Sequence, residues 1–204
     1  MPTDDSPRVA VLYPAVAEAA HRAGADAVGL VDVGPSGGSD LALDRVGITY
    51  SDGRRLGDPA AEVQLTARVV GGRPVPDRAV PAVVTRATVD VRDVRDVEAL
   101  PATIARVPVG VLPVVVTTWA LSRLAPDGRL RFLQRLDDTA AGRPLAWVSV
   151  EGVGVAPAVP TLGDRRASGH SIVGVAVLDH TSLRVEAVGR CWSRGRQLVW
   201  LAGL

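Results

Sequence analysis

The stretch Val28-Gly29-Leu30-Val31-Asp32-Val33-Gly34-Pro35-Ser36-Gly37-Gly38-Ser39-Asp40-Leu41 decides how this chain is read. Its apolar run does not alternate with polar residues, which predicts a strand buried on both faces. An acid, Asp32, stands near the end of that run, and a glycine-rich turn then leads into a helical pattern. A buried parallel strand hands over in this way to a helix whose free N–H groups face a ligand. The glycines let the backbone come close to it.

Working outward, Val9 to Ala23 is alanine-rich and predicts a helix stopped by Gly24, with Pro14 near its start or at a kink. Gly38 to Arg45 predicts a short helix. Ile48 to Tyr50 and Val63 to Val69 read as strands on either side of the polar loop Ser51 to Pro59. The second of them alternates, so one face meets water. Gly71 through Pro81 reads as a loop. Ala82 to Asp90 reads as a second core strand, running out into Asp90, Arg92, Asp93, Arg95 and Asp96. Val97 to Arg106 has room for a short helix containing Pro101.

Val109 to Thr117 is the most apolar run and reads as the central strand. Ala125 to Ala141 spaces Leu130, Leu133 and Leu136 as an amphipathic helix does. Pro144 to Val150 is another buried strand, ending at Glu151-Gly152. After the Pro- and Gly-rich loop Val153 to Ser171 come strands Ile172 to Leu178 and Gln197 to Leu201, with a weaker one at Leu183 to Val188. No helix separates these, so they pair antiparallel. The whole predicts one α/β domain over 1–204: three-layered, Rossmann-like, mostly parallel, with an antiparallel C-terminal strand pair.

Composition narrows the function classes. A 47% hydrophobic chain of 204 residues is long enough for a real core. A formal net charge of +1 argues for neither nucleic acid nor an acidic membrane as partner. Every basic side chain is arginine and asparagine is absent, a pattern expected from GC-rich codon usage. One cysteine, Cys191, leaves no internal disulfide and no cysteine-rich metal site, and fits a reduced, cytoplasmic setting. The acidic start Met1-Pro2-Thr3-Asp4-Asp5 is unlike a signal peptide, and Val9 to Ala20 is too short to span a bilayer.

Three stretches carry a family resemblance. They are Asp32 to Gly38 continuing to Tyr50 and Leu56 to Pro59; Val114 to Leu121; and Arg143 to Gly152 with the closing Gly195 to Trp200. In this order and spacing the chain resembles the uncharacterised bacterial family named domain of unknown function 2332. That family resembles class I S-adenosylmethionine-dependent methyltransferases. The resemblance implies S-adenosylmethionine as cofactor, held at Asp32, Gly34, Ser36 and Gly38. This chain departs from the family in having fewer N-terminal helices and a shorter segment between Asp96 and Val109. That implies the loss of one strand of the full methyltransferase fold. Losing the helices predicts an uncovered apolar face and a possible homodimer.

Other candidates follow from their places. Asp90, an acid at the end of the second strand, is the residue for ribose hydroxyls. Thr117, Thr118 and Trp119 end the central strand, where ligands collect in open α/β sheets, and Glu151 ends the next one; Thr117 is assigned to the cofactor, and Trp119 and Glu151 to substrate. No catalytic residue is identified. A different reading is a degenerate, non-catalytic domain serving association. Gly34-Pro35-Ser36-Gly37-Gly38 also matches the Gly-x-Ser-x-Gly of serine hydrolases, with Asp179 and His180 or His170 downstream. Too little chain precedes Ser36 to supply the oxyanion donor. The histidines have no metal-ligand spacing. Cys191 reads as an inert thiol, and Arg190, Arg194 and Arg196 as a solvated turn.

Overall fold

The computed structural model describes residues 6–34 and 41–203. Ser36 and Gly38, with the rest of the glycine turn after Gly34, lie outside the described residues. The chain begins with helix α1 (Ser6–Ala23) and strand β1 (Ala27–Val33). Strands β2 (Val46–Tyr50), β3 (Arg55–Gly57), β4 (Val63–Val69) and β5 (Ala82–Val89) follow. Then come a short α2 (Leu100–Ile104), β6 (Leu112–Thr118), α3 (Pro126–Ala140) and β7 (Leu145–Gly152). The end is β8 (Ser171–Leu178), β9 (Leu183–Trp192) and β10 (Gln197–Trp200).

All ten strands form one sheet in the order β3-β2-β4-β10-β9-β8-β7-β6-β1-β5. Its parallel core is β5-β1-β6-β7. The closing strands exceed the expected pair. β8, β9 and β10 make a three-stranded antiparallel meander joined to β7, and β9 is ten residues long. Its first half is largely exposed, which is why so little apolar signal marks it in the sequence. Strands β4 and β2 then extend the sheet in parallel, with β3 antiparallel at the far edge.

Two apolar layers sandwich the sheet. Val28, Leu30, Val114, Val116, Val148 and Val150 pack in one cluster with α1. Val31, Val33, Val115 and Trp147 pack in the other with Leu100 and Ile104 of α2 and Phe132 and Leu136 of α3. This is the alternation expected when a strand buries both faces. Helix α1 is apolar nearly all round, from Val9 to Ala20, with Glu18 as its buried acid. Arg22 and Arg78 both hold the Glu18 carboxylate, which ties the 70–81 connection to the helix. The apolar face under α1 is therefore covered. The large apolar residues that stay exposed, such as Val84, Val109 and Leu130, sit on different elements.

Three sequence readings change in detail. Where a short helix was expected over Gly38 to Arg45, the described residues hold only the 3-10 turn Leu43–Arg45, which runs straight into β2. β5 is an edge strand whose residues are alternately exposed and half-buried, not a core strand, because only β1 pairs with it. In α3 the buried residues are Gly128, Phe132, Leu136 and Ala140, while Leu130 is 62% exposed. The ring of Phe132 meets Trp147 edge-on at 5.3 Å and sets which face turns inward.

Candidate functional site

The C-terminal ends of β1, β6 and β7 lie side by side. Val33 is in register with Thr117, and Thr117 with Ser149. After β1 the chain builds β2 to β4 at the far end of the sheet, then adds β5 on one side of β1 and β6 on the other, so the strand order reverses at β1. In open α/β sheets ligands bind in the crevice at such a reversal.

Asp32 is fully buried near the end of β1. Gly34 follows with φ at 135°, and its amide donates to Val89 O at 2.9 Å. A Cβ there would sit 2.9 Å from Ala120 Cβ, so the position needs glycine for both conformation and space. The Gly34–Val89 bond draws the end of β5 against the turn, and Asp90 with it. Asp90 is half-exposed and its carboxylate is held by Arg92 at 2.7–2.8 Å.

Beyond β6, Trp119 has φ of 52°, an uncommon conformation for a bulky residue. Three contacts hold it. Its amide donates to Val150 O (3.0 Å), its indole N–H donates to Ser171 Oγ (2.8 Å), and the Arg8 guanidinium lies 5.7 Å over the ring. Thr117 is buried and accepts the indole N–H of Trp147 at 3.0 Å. Sequence reasoning treated Trp119 and Thr117 as ligand residues; each also has a structural tie.

Glu151 is 1% exposed. Its Oε1 accepts the amides of Ala120 (2.9 Å) and Leu121 (3.0 Å), which caps the short helical turn after β6. Burial pushes its carboxyl up to about 7, against the pull of three backbone N–H groups and Arg129. Its Oε2 has no hydrogen-bond partner among the described residues, and neither do the buried hydroxyls of Thr118 and Ser149. Buried polar atoms without partners are rare enough to need a reason. Ser149 escaped the sequence reading, although a polar residue at the tip of an otherwise apolar run was its signal.

The remaining candidates fall elsewhere. His170 Nε2 donates to the Asp164 carboxylate at 2.9 Å, and Arg190 grips the same carboxylate at 2.6 and 3.2 Å. With Trp192 against the His170 ring, these residues pin the loop after β7. Arg190 is thus a clamp, not part of a solvated turn. Asp179 takes hydrogen bonds from Thr181 and Ser182 within its own turn. Cys191 is buried, and burial pushes its thiol up to about 12.

A mixed α/β sheet whose parallel strands end in one polar rim defines the class of protein. The chain matches the family described as "Uncharacterized protein conserved in bacteria (DUF2332)" over residues 1–98 and 91–200, and it belongs to that family. No curated protein and no solved structure matches it. No helix among the described residues is long and apolar enough to cross a membrane.

Proposed function

We propose that the protein binds S-adenosylmethionine at the rim of β1, β6 and β7 and transfers its methyl group to an acceptor. The fold is then a Rossmann-like, three-layer relative of the class I methyltransferases, lacking the strand that would lie outside β5. The two stretches of family match meet at residues 91–98, beside the segment that is short in this chain.

The observation that carries the reading is the Gly34–Val89 hydrogen bond, which brings the ends of β1 and β5 together with an acid on each. The residues suit the group. Asp90 is exposed enough to take ribose hydroxyls. The hydroxyl of Thr118 and Oε2 of Glu151, buried at the same rim, have no hydrogen-bond partner among the described residues. Bound S-adenosylmethionine supplies an already reactive methyl group. The chain's part is to orient donor and acceptor and to exclude water, which is where most of the rate would come from.

Thermal unfolding with S-adenosylmethionine and S-adenosylhomocysteine tests this. A ligand at about 100 times its dissociation constant stabilises by ~2.7 kcal/mol. Asp90→Ala lies on an exposed ion pair and should leave the unliganded melting temperature unchanged while weakening binding at least tenfold. Equal shifts in both proteins, or none in either, discards the assignment.

A second reading, a non-catalytic domain serving association, has one observation of its own. β5 is an eight-residue edge strand with Val84 half-exposed, and such edges pair with other strands. Light scattering decides it: a dimer that Val84→Lys converts to monomer supports pairing through β5, and a wild-type monomer removes it.

A further inference from the structure

Strands β4 and β10 touch only where Gln197 meets Arg68 and Leu198 meets Val69. β10 begins at that joint, so Val63 to Ala67 of β4, ahead of it, pair with β2 alone and leave a gap on their other side. The gap opens into a pocket of about 670 Å3 lined by Pro7, Thr49, Thr66, Arg68 and Arg196, among others. That volume falls in the range of small-molecule sites, roughly 300–1,000 Å3.

Its lining is one-sided in charge. Among the described residues, two arginines contribute to it and no aspartate or glutamate does. Several arginines elsewhere, though not all, sit on carboxylates: Arg22 and Arg78 on Glu18, Arg131 and Arg135 on Glu98, Arg190 on Asp164. The side chains of Arg68 and Arg196 have no such partner among the described residues, and the hydroxyls of Thr49 and Thr66 have none either. Thr49 and Thr66 are register partners on β2 and β4, and Arg68 stands two residues beyond Thr66 on the same face. Arg196 is held beside them, because the Arg68 amide donates to its carbonyl at 2.9 Å. Gly195 packs so closely on α1 that a Cβ would lie 2.6 Å from Pro7 O. The walls of the cleft are therefore fixed by backbone contacts, and its four donors without a partner among the described residues come from two strands, β2 and β4, and the turn before β10.

We propose that this cleft is a second binding site, for a phosphoryl-bearing small molecule. A guanidinium offers paired N–H donors that fit two phosphoryl oxygens at once. A tetrahedral phosphoryl group also presents a third oxygen out of that plane, within the province of the threonine hydroxyls. A planar carboxylate has none to give. The cleft shares no lining residue with the rim of β1, β6 and β7, so the proposal stands apart from the methyl-donor reading.

The test is calorimetric titration of the full chain with inorganic pyrophosphate at low salt, with citrate as the comparison anion. Pyrophosphate should bind the wild type more tightly than citrate does. The double substitution Arg68→Gln with Arg196→Gln should weaken it at least tenfold, and Thr66→Val by a smaller factor. Both arginines are exposed, so the double variant should keep its fold; if its circular dichroism spectrum changes, Arg196→Gln alone replaces it. No binding by the wild type, unchanged affinity in the arginine variant, or citrate binding as tightly as pyrophosphate would each overturn the proposal.

Discussion

Glu151 has two jobs that pull against each other. As an ion it caps the turn at Ala120 and Leu121, yet burial at 1% exposure raises its carboxyl from 4.5 to about 7. A carboxyl raised on folding holds its proton more tightly in the native state. Its contribution to stability is therefore full below about pH 4.5 and is lost as pH rises through 7, a change of about 3 kcal/mol. Urea unfolding at about pH 5 and about pH 7.5 should show this loss in the wild type, over and above other titrations. Glu151→Gln keeps an acceptor for the cap and cannot titrate, so that part of the slope should vanish. An unaltered slope would mean that Glu151 ionises normally. Gly34 poses a simpler residue-scale question. Gly34→Ala forces a side chain to φ of 135° and against Ala120, and should cost about 1–3 kcal/mol. Adding Ala120→Gly should recover the steric share and leave the conformational one.

At the scale of elements, α1 carries a defect that another element repairs. Pro14 lies inside the helix and has no N–H to give Ala10 O, its partner four residues back. The hydroxyl of Tyr50, at the end of β2, donates to that carbonyl instead, at 2.6 Å. Burial, the largest cause, also drives the Tyr50 phenol well above its ordinary pKa, so it stays a donor. Tyr50→Phe should thus leave a buried carbonyl unsatisfied and cost about 1–3 kcal/mol. In a Pro14→Ala background the new N–H takes over, and Tyr50→Phe should cost clearly less. A double-mutant cycle by chemical denaturation measures the difference; additive costs would show that the two residues are not coupled. The sequence placed this helix and its proline correctly. It held no sign that a tyrosine 36 positions after that proline would complete the hydrogen bonding.

At the scale of the whole molecule, the sheet is continuous but uneven. β1, β6 and β7 are buried on both faces, whereas β2 and β4 reach the rest of the sheet through two residue pairs and β4 exposes one face. Regions with one buried face and few cross-strand bonds open first. Native-state hydrogen exchange should therefore give the amides of Ile48 and Leu65 lower opening free energies than those of Val115 and Val148. Equal values across the four would mean that all ten strands unfold as a single unit.

Much of this architecture was legible from local pattern. Unbroken apolar runs marked β1, β6 and β7, alternation marked the half-exposed β4, and Gly24 marked the end of α1, because burial and backbone freedom act on neighbouring residues. The same logic put Asp32, Gly34, Thr117, Trp119 and Glu151 at strand ends. Which strand neighbours which is set by contacts between residues far apart in the chain, and no local period encodes that. Only the folded sheet decided that β5 lies at an edge, that β10 joins β4 at just two residue pairs, and that Glu151 caps the turn after β6. Those outcomes depend on which buried polar groups find partners once the strands are assembled, a balance that does not exist until the tertiary structure forms.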